Sequence, residues 1–373
     1  MSVKIKPIQK RKELKEFICL PTEIHRNDSN WVPPLYSEEW KYFNPEKNEA
    51  FSYSDAIQLL AYRNDKAVGR IMGIINHRYN DYRQEKNARF GYLECWDEQE
   101  TAHALLEFIE NWAKAKEMNK IVGPMGFTDQ DPEGFLISGF EYSPSLATYS
   151  NFKYIIKLLE NEGYTKEVDY VVYKLDLPEE IPEFYKKIYA RVSMKNEFQL
   201  MEFSGKKKLK QYIRPVFRLM NSCFEGLYGY LPLDENEMDK LAKRYWPLAD
   251  PRFIKIALKN NEVIGFIIGM PNTSQGLRKA KGHLFPFGIF HIIYSARNSK
   301  QLDLMLGGIK KEYRGRGLDV LLGMKTIESA QKAGYKLIDS HHELETNILM
   351  HAEMERLGGK VYKRYRIFKK KIR

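Results

Sequence analysis

The sequence predicts an α/β protein of the mixed-sheet (α+β) kind: two tandem halves, each a mostly antiparallel sheet flanked by helices. Three observations carry this. The 373 residues suit two domains of ordinary size. The stretch QLLAYRNDKAVGRIMGIIN (58–76) matches IKIALKNNEVIGFIIGMPN (254–272) without a gap. Asn151 and Gly163 bracket FKYIIKLLENE, followed by YVVYKL, just as Asn347 and Gly359 bracket ILMHAEMERLG, followed by YRIFKK.

Each element follows from its local pattern. Asn64-Asp65 and Asn260-Asn261 separate runs of β-branched and aliphatic residues, the signature of a two-residue hairpin turn. Amphipathic helices precede the hairpins, from Lys10 to about Ile24 and from Lys207 to about Cys223. ENWAKAKEMNKIVG (110–123) and ESAQKAGYKLID (328–339) read as a helix leading into a buried strand, and each Asn-to-Gly unit as a helix with a glycine stop. One helical crossover per half among hairpins predicts a mixed sheet with helices on both faces. LPEEIP (177–182) interrupts the pattern, giving domains 1–178 and 179–373.

Composition narrows the class. With 43% hydrophobic and 29% charged residues the chain is globular rather than disordered. No apolar run approaches the roughly 18 residues of a spanning helix, and the N-terminal residues hold no apolar signal core, so no membrane insertion and a cytoplasmic location are expected. Cys19, Cys95 and Cys223 form no CxxC pair and encode neither a disulfide framework nor a zinc ribbon. The net charge of +11 is concentrated in residues 360–373, which hold eight basic and no acidic side chains. YKRYRIFKKK interleaves aromatic and basic residues; it reads first as a last edge strand and second as a nucleic-acid footprint.

Chemistry is concentrated in the second half. LDLMLGGI (302–309) runs into KKEYRGRGLDVLLGMKTIESAQKAG, with Gly315 and Gly317 at the mouth of an amphipathic helix from Leu318 to about Lys332. Such a turn offers unpaired backbone N–H groups beside the positive end of a helix dipole, and Arg314 and Arg316 add charge: an anion site sized for a phosphate or pyrophosphate. A P-loop would need Gly-Lys-Ser/Thr where Gly317-Leu318-Asp319 stands. A dinucleotide fingerprint would need a third glycine where Val320 stands, and the hairpins upstream leave no doubly wound sheet to complete.

The element order, Arg314-Gly315-Arg316-Gly317-Leu318 after a strand, and Asn347 opening a short helix that ends in Gly358-Gly359 resemble the GNAT superfamily of acyl-CoA-dependent N-acyltransferases. The resemblance covers both halves in architecture and the diagnostic loop in the second, where Asp319 breaks the last position of the signature. It implies that backbone at Gly308, Ile309 and Lys310 pairs with the pantetheine arm of acetyl-CoA or another acyl-CoA. It further implies that Arg314, Gly315, Arg316, Gly317 and Leu318 hold the pyrophosphate, and that Asn347 meets the reactive end. In the first half the matching loop reads DEQETAHALL, acidic and without glycine, so that half is expected to lack a cofactor site. The extra segment GPMGFTDQDPEGFLISGFEYSPSLATYS (123–150) is expected to act as a lid or substrate wall.

Acyl transfer to an amine needs a base for the ammonium proton and a donor for the leaving thiolate. Many family members use a Tyr seven residues after the Asn; here that position is Met354. The candidates are Glu345 first, then Asp303 and His341; strand alternation places His341, Glu343 and Glu345 on one face and His342 on the other. No metal is expected: Asp129-x-Asp131-x-Glu133 opens like a calcium loop but meets Phe140 where Glu is needed, and no HExxH accompanies the histidines. The aromatic stretches 31–45 and 224–232 fall where the resembled fold roofs its acceptor. The expected function is transfer of an acyl group from acyl-CoA to a small-molecule or peptide amine by the second half, with no nucleic-acid partner. The alternatives are a tandem aminoacyl-tRNA-dependent peptidyltransferase, whose partner would be tRNA, and a non-catalytic acyl-CoA-binding pseudoenzyme. The oligomeric state is left open.

Overall fold

A computed structural model describes residues 2–145, 148–195 and 197–372; Leu146 and Ala147 of the extra segment and Arg373 of the basic tail lie outside the described residues. The first half runs β1 (Lys4–Pro7), α1 (Arg11–Ile24), α2 (Tyr36–Tyr42), β2 (Ser54–Arg63), β3 (Lys66–Asn76), α3 (His77–Arg83) and β4 (Asn87–Cys95). It continues with α4 (Gln99–Ala115), β5 (Lys120–Gly123), β6 (Phe135–Ser138), α5 (Tyr154–Asn161) and β7 (Thr165–Asp176). The second half opens with α6 (Glu183–Met194), β8 (Gln199–Met201), α7 (Lys206–Leu209), α8 (Ile213–Phe224), α9 (Glu235–Tyr245), β9 (Ile254–Lys259) and β10 (Glu262–Pro271). After α10 (Ser274–Ala280) and α11 (Gly288–Asn298) come β11 (Gln301–Ile309), α12 (Leu318–Lys332), β12 (Leu337–Asp339), β13 (Glu343–Leu344), α13 (Ile348–Arg356) and β14 (Lys360–Lys371).

The two hairpins form as their turns dictate. Asn64 and Asp65 have φ of 51° and 59°, Asn260 and Asn261 of 51° and 63°, the left-handed pair that matches the twist of the flanking strands. In each half a single parallel contact, β4 with β5 and β11 with β12, is bridged by a helix, α4 or α12. Helices cover both faces, so strands are apolar on both sides: Leu59 and Ile71 pack toward α4, Leu60 and Met72 toward α1. Likewise Ile256 and Phe266 pack with α8, Ala257 and Ile264 with α12.

All strands join one sheet in the order β1-β2-β3-β4-β5-β14-β7-β12-β11-β10-β9-β8, with β6 beside β14 and β13 beside β7. The last strand of each half is exchanged. β14 lies between β5 and β7 and completes the first half, while β7 pairs with β12 and β13 and completes the second. The expectation of an edge strand at the C-terminal end is therefore corrected: β14 is central and paired on both sides. Its charges are tied to neighbouring strands and helices, Arg366 to Asp169 at 2.7 Å, Lys369 to Glu167 at 2.9 Å and Lys370 to Glu110 at 2.8 Å. Its apolar positions Tyr365, Ile367 and Phe368 are at most 1% exposed.

One buried cation braces the first half. His25 is stacked between Trp31 and Phe152, at 5.3 and 4.7 Å between centroids, with Nε2 3.0 Å from Glu94. Burial alone would push this imidazole down; Glu94 and Asp28 outweigh burial and hold it up to about 9. The folded value is raised above the unfolded one, so the stabilisation is complete below about pH 6.5 and is lost as pH rises through about 9. The span corresponds to about 3 kcal/mol. We expect His25→Gln to lower the melting temperature at pH 6 and to differ little from wild type at pH 9.5; equal offsets at both values would exclude a charged His25.

Candidate active site

Parallel pairing between β11 and β12 stops at Asp303 and Asp339. Beyond that point β11 continues to Ile309 paired with β10 alone, through an irregularity between Ile268 and Gly269. Its outer edge from Leu304 to Gly308 therefore faces the opening between the splayed strands, and Gly307 is exposed. The chain then makes a turn at Lys311–Tyr313 and enters α12 through Gly315 and Gly317, at φ of 72° and 80°. No side chain caps that helix, so its first backbone N–H groups stay available to an anion.

Gly308, Ile309, Lys310, Arg314, Gly315, Arg316 and Gly317 thus lie along one continuous path from the open edge to the helix mouth. Their side chains have local partners. Arg314 Nε donates to Ile309 O at 2.9 Å, Arg316 lies 3.1 Å from Glu197, and Lys310 lies 2.8 Å from Glu262. A Cβ on Gly315 would meet nothing within 4 Å, whereas one on Gly317 would fall 2.6 Å from Val192 Cγ2 of α6. Gly317 is therefore demanded by helix packing as well as by its left-handed backbone. Leu318 is fully buried with α12 and offers its backbone alone. Asp319 is exposed on the first turn, and its charge adds to burial in raising the Glu353 carboxyl.

At the vertex of the splay Leu302 packs on the α12 side and Leu304 beside Met354 of α13, so Asp303 between them points to the opposite side. Asp303 is 1% exposed and accepts from Asn272 Nδ2 and Gln301 Nε2, each at 2.8 Å. Burial, then the neighbouring Asp339, push its carboxyl up to about 8. Asp339 accepts from Ser145 Oγ at 2.8 Å, from the Tyr362 hydroxyl and from the His341 backbone at 2.7 Å. Lys363 reaches in from β14 and donates to Ser143 O at 2.6 Å, its ammonium pushed down by burial.

Asp303 and His341 both adjoin Asp339, whereas Glu345 has other partners. Glu345 lies 2.6 Å from Lys166 and accepts from Asp169 N at 3.3 Å, an ion pair on β7 that occupies the carboxylate. The strand alternation expected across 341–345 does not hold, because β12 ends at Asp339 and His341 adopts φ of 59°. His342 is half-buried between Tyr170 and Tyr365, and desolvation there pushes its imidazole well down, keeping it neutral. Glu343 is the carboxyl that sequence reasoning passed over. Burial pushes it up to about 8, and Asn347 Nδ2, at 3.2 Å, partly offsets this. Asn347 also caps α13, accepting from Met350 N at 3.4 Å. The signal was a carboxylate four residues before that Asn. Met354 is core, 4% exposed against Val171 and Tyr173.

The corresponding opening of the first half is filled. β4 and β5 also part after Arg89 and Val122, but Met125 N donates to Phe90 O at 2.9 Å and Tyr92 N to the Tyr149 hydroxyl at 3.1 Å. A Cβ on Gly91 would lie 2.5 Å from Met125 O. Asn151, the counterpart of Asn347, is buried with both ends of its amide on the Leu136 backbone, at 2.8 and 3.2 Å. The same segment then crosses to the second half, where Ser274 Oγ donates to Pro144 O at 2.7 Å and Ser145 reaches Asp339. A cavity of about 400 Å³ lies beneath it, lined by Asp28, Phe140, Tyr142, Asn151 and Tyr365. Among the described residues no three His, Cys, Asp or Glu side chains are grouped to hold a metal ion.

Comparison with known proteins places this architecture. No family model matches the chain. A protein of Caulobacter vibrioides called bacterial ceramide synthase is 26% identical over 373 residues, 98% of this chain and 97% of that one. Protein YghO of Escherichia coli K12 is 26% identical over 371 residues, 97% of this chain and 94% of that one. Among solved structures, a tandem GNAT protein from the clavulanic acid biosynthesis pathway superposes with a TM-score of 0.57 at 12% identity, over 100% of this chain and 99% of that one. The superposition runs over the whole of this chain, so the chain has the tandem GNAT fold, and within it one half is open at its splayed strands and the other filled.

Proposed function

We propose that the second half binds an acyl-CoA and transfers its acyl group to the amine of a long-chain amino alcohol. The observation that carries this reading is the contrast between the halves. One splay presents the unpaired outer edge of β11 from Leu304 to Gly308 and leads into a glycine turn, whereas its counterpart is stopped by Met125 and Tyr149. An extended amide-bearing arm suits an unpaired strand edge, and a pyrophosphate suits uncapped N–H groups at a helix start flanked by arginines. The acceptor class rests on the full-length likeness to the protein called bacterial ceramide synthase. The alternative of an RNA partner would need a solvated basic tail, and Arg366, Lys369 and Lys370 of that stretch are held in ion pairs.

In the proposed reaction the amine nitrogen attacks the thioester carbonyl, the C–N bond forms and the C–S bond breaks. The proton that the nitrogen loses passes to Glu343 and from there to the departing thiolate, which leaves as the thiol. A carboxyl held up to about 8 is a stronger base than an ordinary carboxylate, and Asn347 orients it. Asp303, enclosed by Asn272 and Gln301, is a positioning residue at the vertex.

Calorimetric titration with acetyl-CoA and with longer acyl-CoAs tests the binding step. One site per chain is expected, and Arg316→Glu, which disturbs an exposed ion pair with Glu197 and a ring contact with Tyr313, is expected to weaken it by about tenfold or more. Two equivalent sites, or no binding of any acyl-CoA, would exclude the reading.

A further inference from the structure

The duplication supplies an internal control for one surface. Between β3 and β4 the first half uses the short helix α3, turned inward: Arg78 lies 2.6 Å from Glu237 and Arg83 donates to Glu225 O at 3.3 Å. Between β10 and β11 the second half instead carries the helical pair α10 and α11. The two helices touch closely, since a Cβ on Gly276 would fall 2.6 Å from His291 O. Their inner side is anchored: Arg278 donates to Ser143 Oγ at 2.6 Å, and Gly282 O accepts from Tyr36 N at 2.9 Å. At its root Asn272 holds Asp303 at 2.8 Å, joining the pair to the vertex of the splayed strands.

The outer side has the opposite character. Phe285, Phe287, Phe290 and Tyr294 are 78%, 69%, 65% and 66% exposed, and Ile289 and Ile293 extend the same face. Exposed aromatics concentrated on one rigid element call for a partner rather than for water. The charges select it. From Asn272 to Leu302 the chain holds Arg278, Lys279, Lys281, Arg297 and Lys300 and no Asp or Glu. A second copy docking by this face would set Lys279, Lys281 and Arg297 against their own equivalents, with no carboxylate of this segment between them. An exposed aromatic face on a segment whose exposed charges, Lys279, Lys281 and Arg297 among them, are all cationic, in a chain with no helix long and apolar enough to cross a membrane among the described residues, fits the headgroup region of an anionic bilayer.

We propose that the outer face of the α10–α11 pair seats the protein on an anionic lipid surface, lying in its plane. The inference needs only the exposed face and its charge, and it stands whether or not the acyl-transfer reading does.

The test is co-sedimentation of the full chain with vesicles of phosphatidylcholine, with and without about one third phosphatidylglycerol. Wild type is expected to bind the anionic vesicles, and Lys279→Glu with Lys281→Glu to lose that preference. The triple variant Phe287→Ser, Phe290→Ser, Tyr294→Ser is expected to bind at least about tenfold more weakly. A second variant, Phe287→Trp, reads the contact directly: its emission should shift to the blue and be quenched by brominated lipid. Absence of wild-type binding, equal binding by the triple variant, or an unquenched tryptophan would overturn the proposal. A wild-type dimer that the triple variant abolishes, without vesicle binding, would assign the face to a second copy instead.

Discussion

Removal of residues 363–372 is expected to abolish the cooperative fold. The stretch looks dispensable, because it is terminal and strongly basic. In the sheet it is most of β14, bonded to β5 and β6 on one side and β7 on the other. It carries Tyr365, Ile367 and Phe368 into two separate clusters, one holding Tyr170 and Val172 and the other Phe90 and Leu106. Loss of a single buried aromatic costs about 3–5 kcal/mol, and total stability is about 5–15 kcal/mol, so losing two aromatics, an isoleucine and both ladders exceeds what the domain can supply. The truncated chain should show no cooperative thermal transition by circular dichroism. A sharp melt close to that of wild type would mean that β14 is peripheral.

The second large effect concerns Glu343. Glu343→Gln keeps the shape of the side chain and its contact with Asn347 but removes the base. If the acyl-transfer reading holds, kcat should fall by about two to four decades, with acyl-CoA affinity little changed. The pH profile separates this role from a structural one. Wild-type kcat/KM should rise with pH as Glu343 loses its proton near 8, and the residual activity of the variant should lack that limb. Glu345→Gln provides the contrast: it breaks the partly exposed pair with Lys166 and should leave the pH profile as it is. A variant of Glu343 with full activity would return the search to Asp303 and His341.

How much of this was legible in the sequence depended on the range of the interactions involved. Both hairpins were readable because Asn64-Asp65 and Asn260-Asn261 specify their turns within two residues. The glycine turn was readable for the same reason: the positive φ of Gly315 and Gly317 and the start of α12 are local events. Helix placement along the chain followed from periodicity, and the contrast between RGRGL and DEQET already separated a glycine turn before one crossover helix from an acidic stretch before the other. The basic tail was recognised as a strand by its alternation, since alternation is a property of the strand itself.

Which strand it would pair with was decided only in three dimensions. YVVYKL and YRIFKK have nearly the same pattern, and a strand's own period does not name its neighbour. Either could close either half, so the exchange of β7 and β14, and with it the central position of the tail, depends on contacts between residues far apart in the chain. The same holds for the site. That Met125 and Tyr149 fill one splay, that Val192 crowds Gly317, and that Lys166 pairs with Glu345 while Glu343 lies half-buried beside Asn347 are consequences of packing between elements brought together from both halves. The raised proton affinity of Glu343 follows from its desolvation, which exists only once the chain has folded.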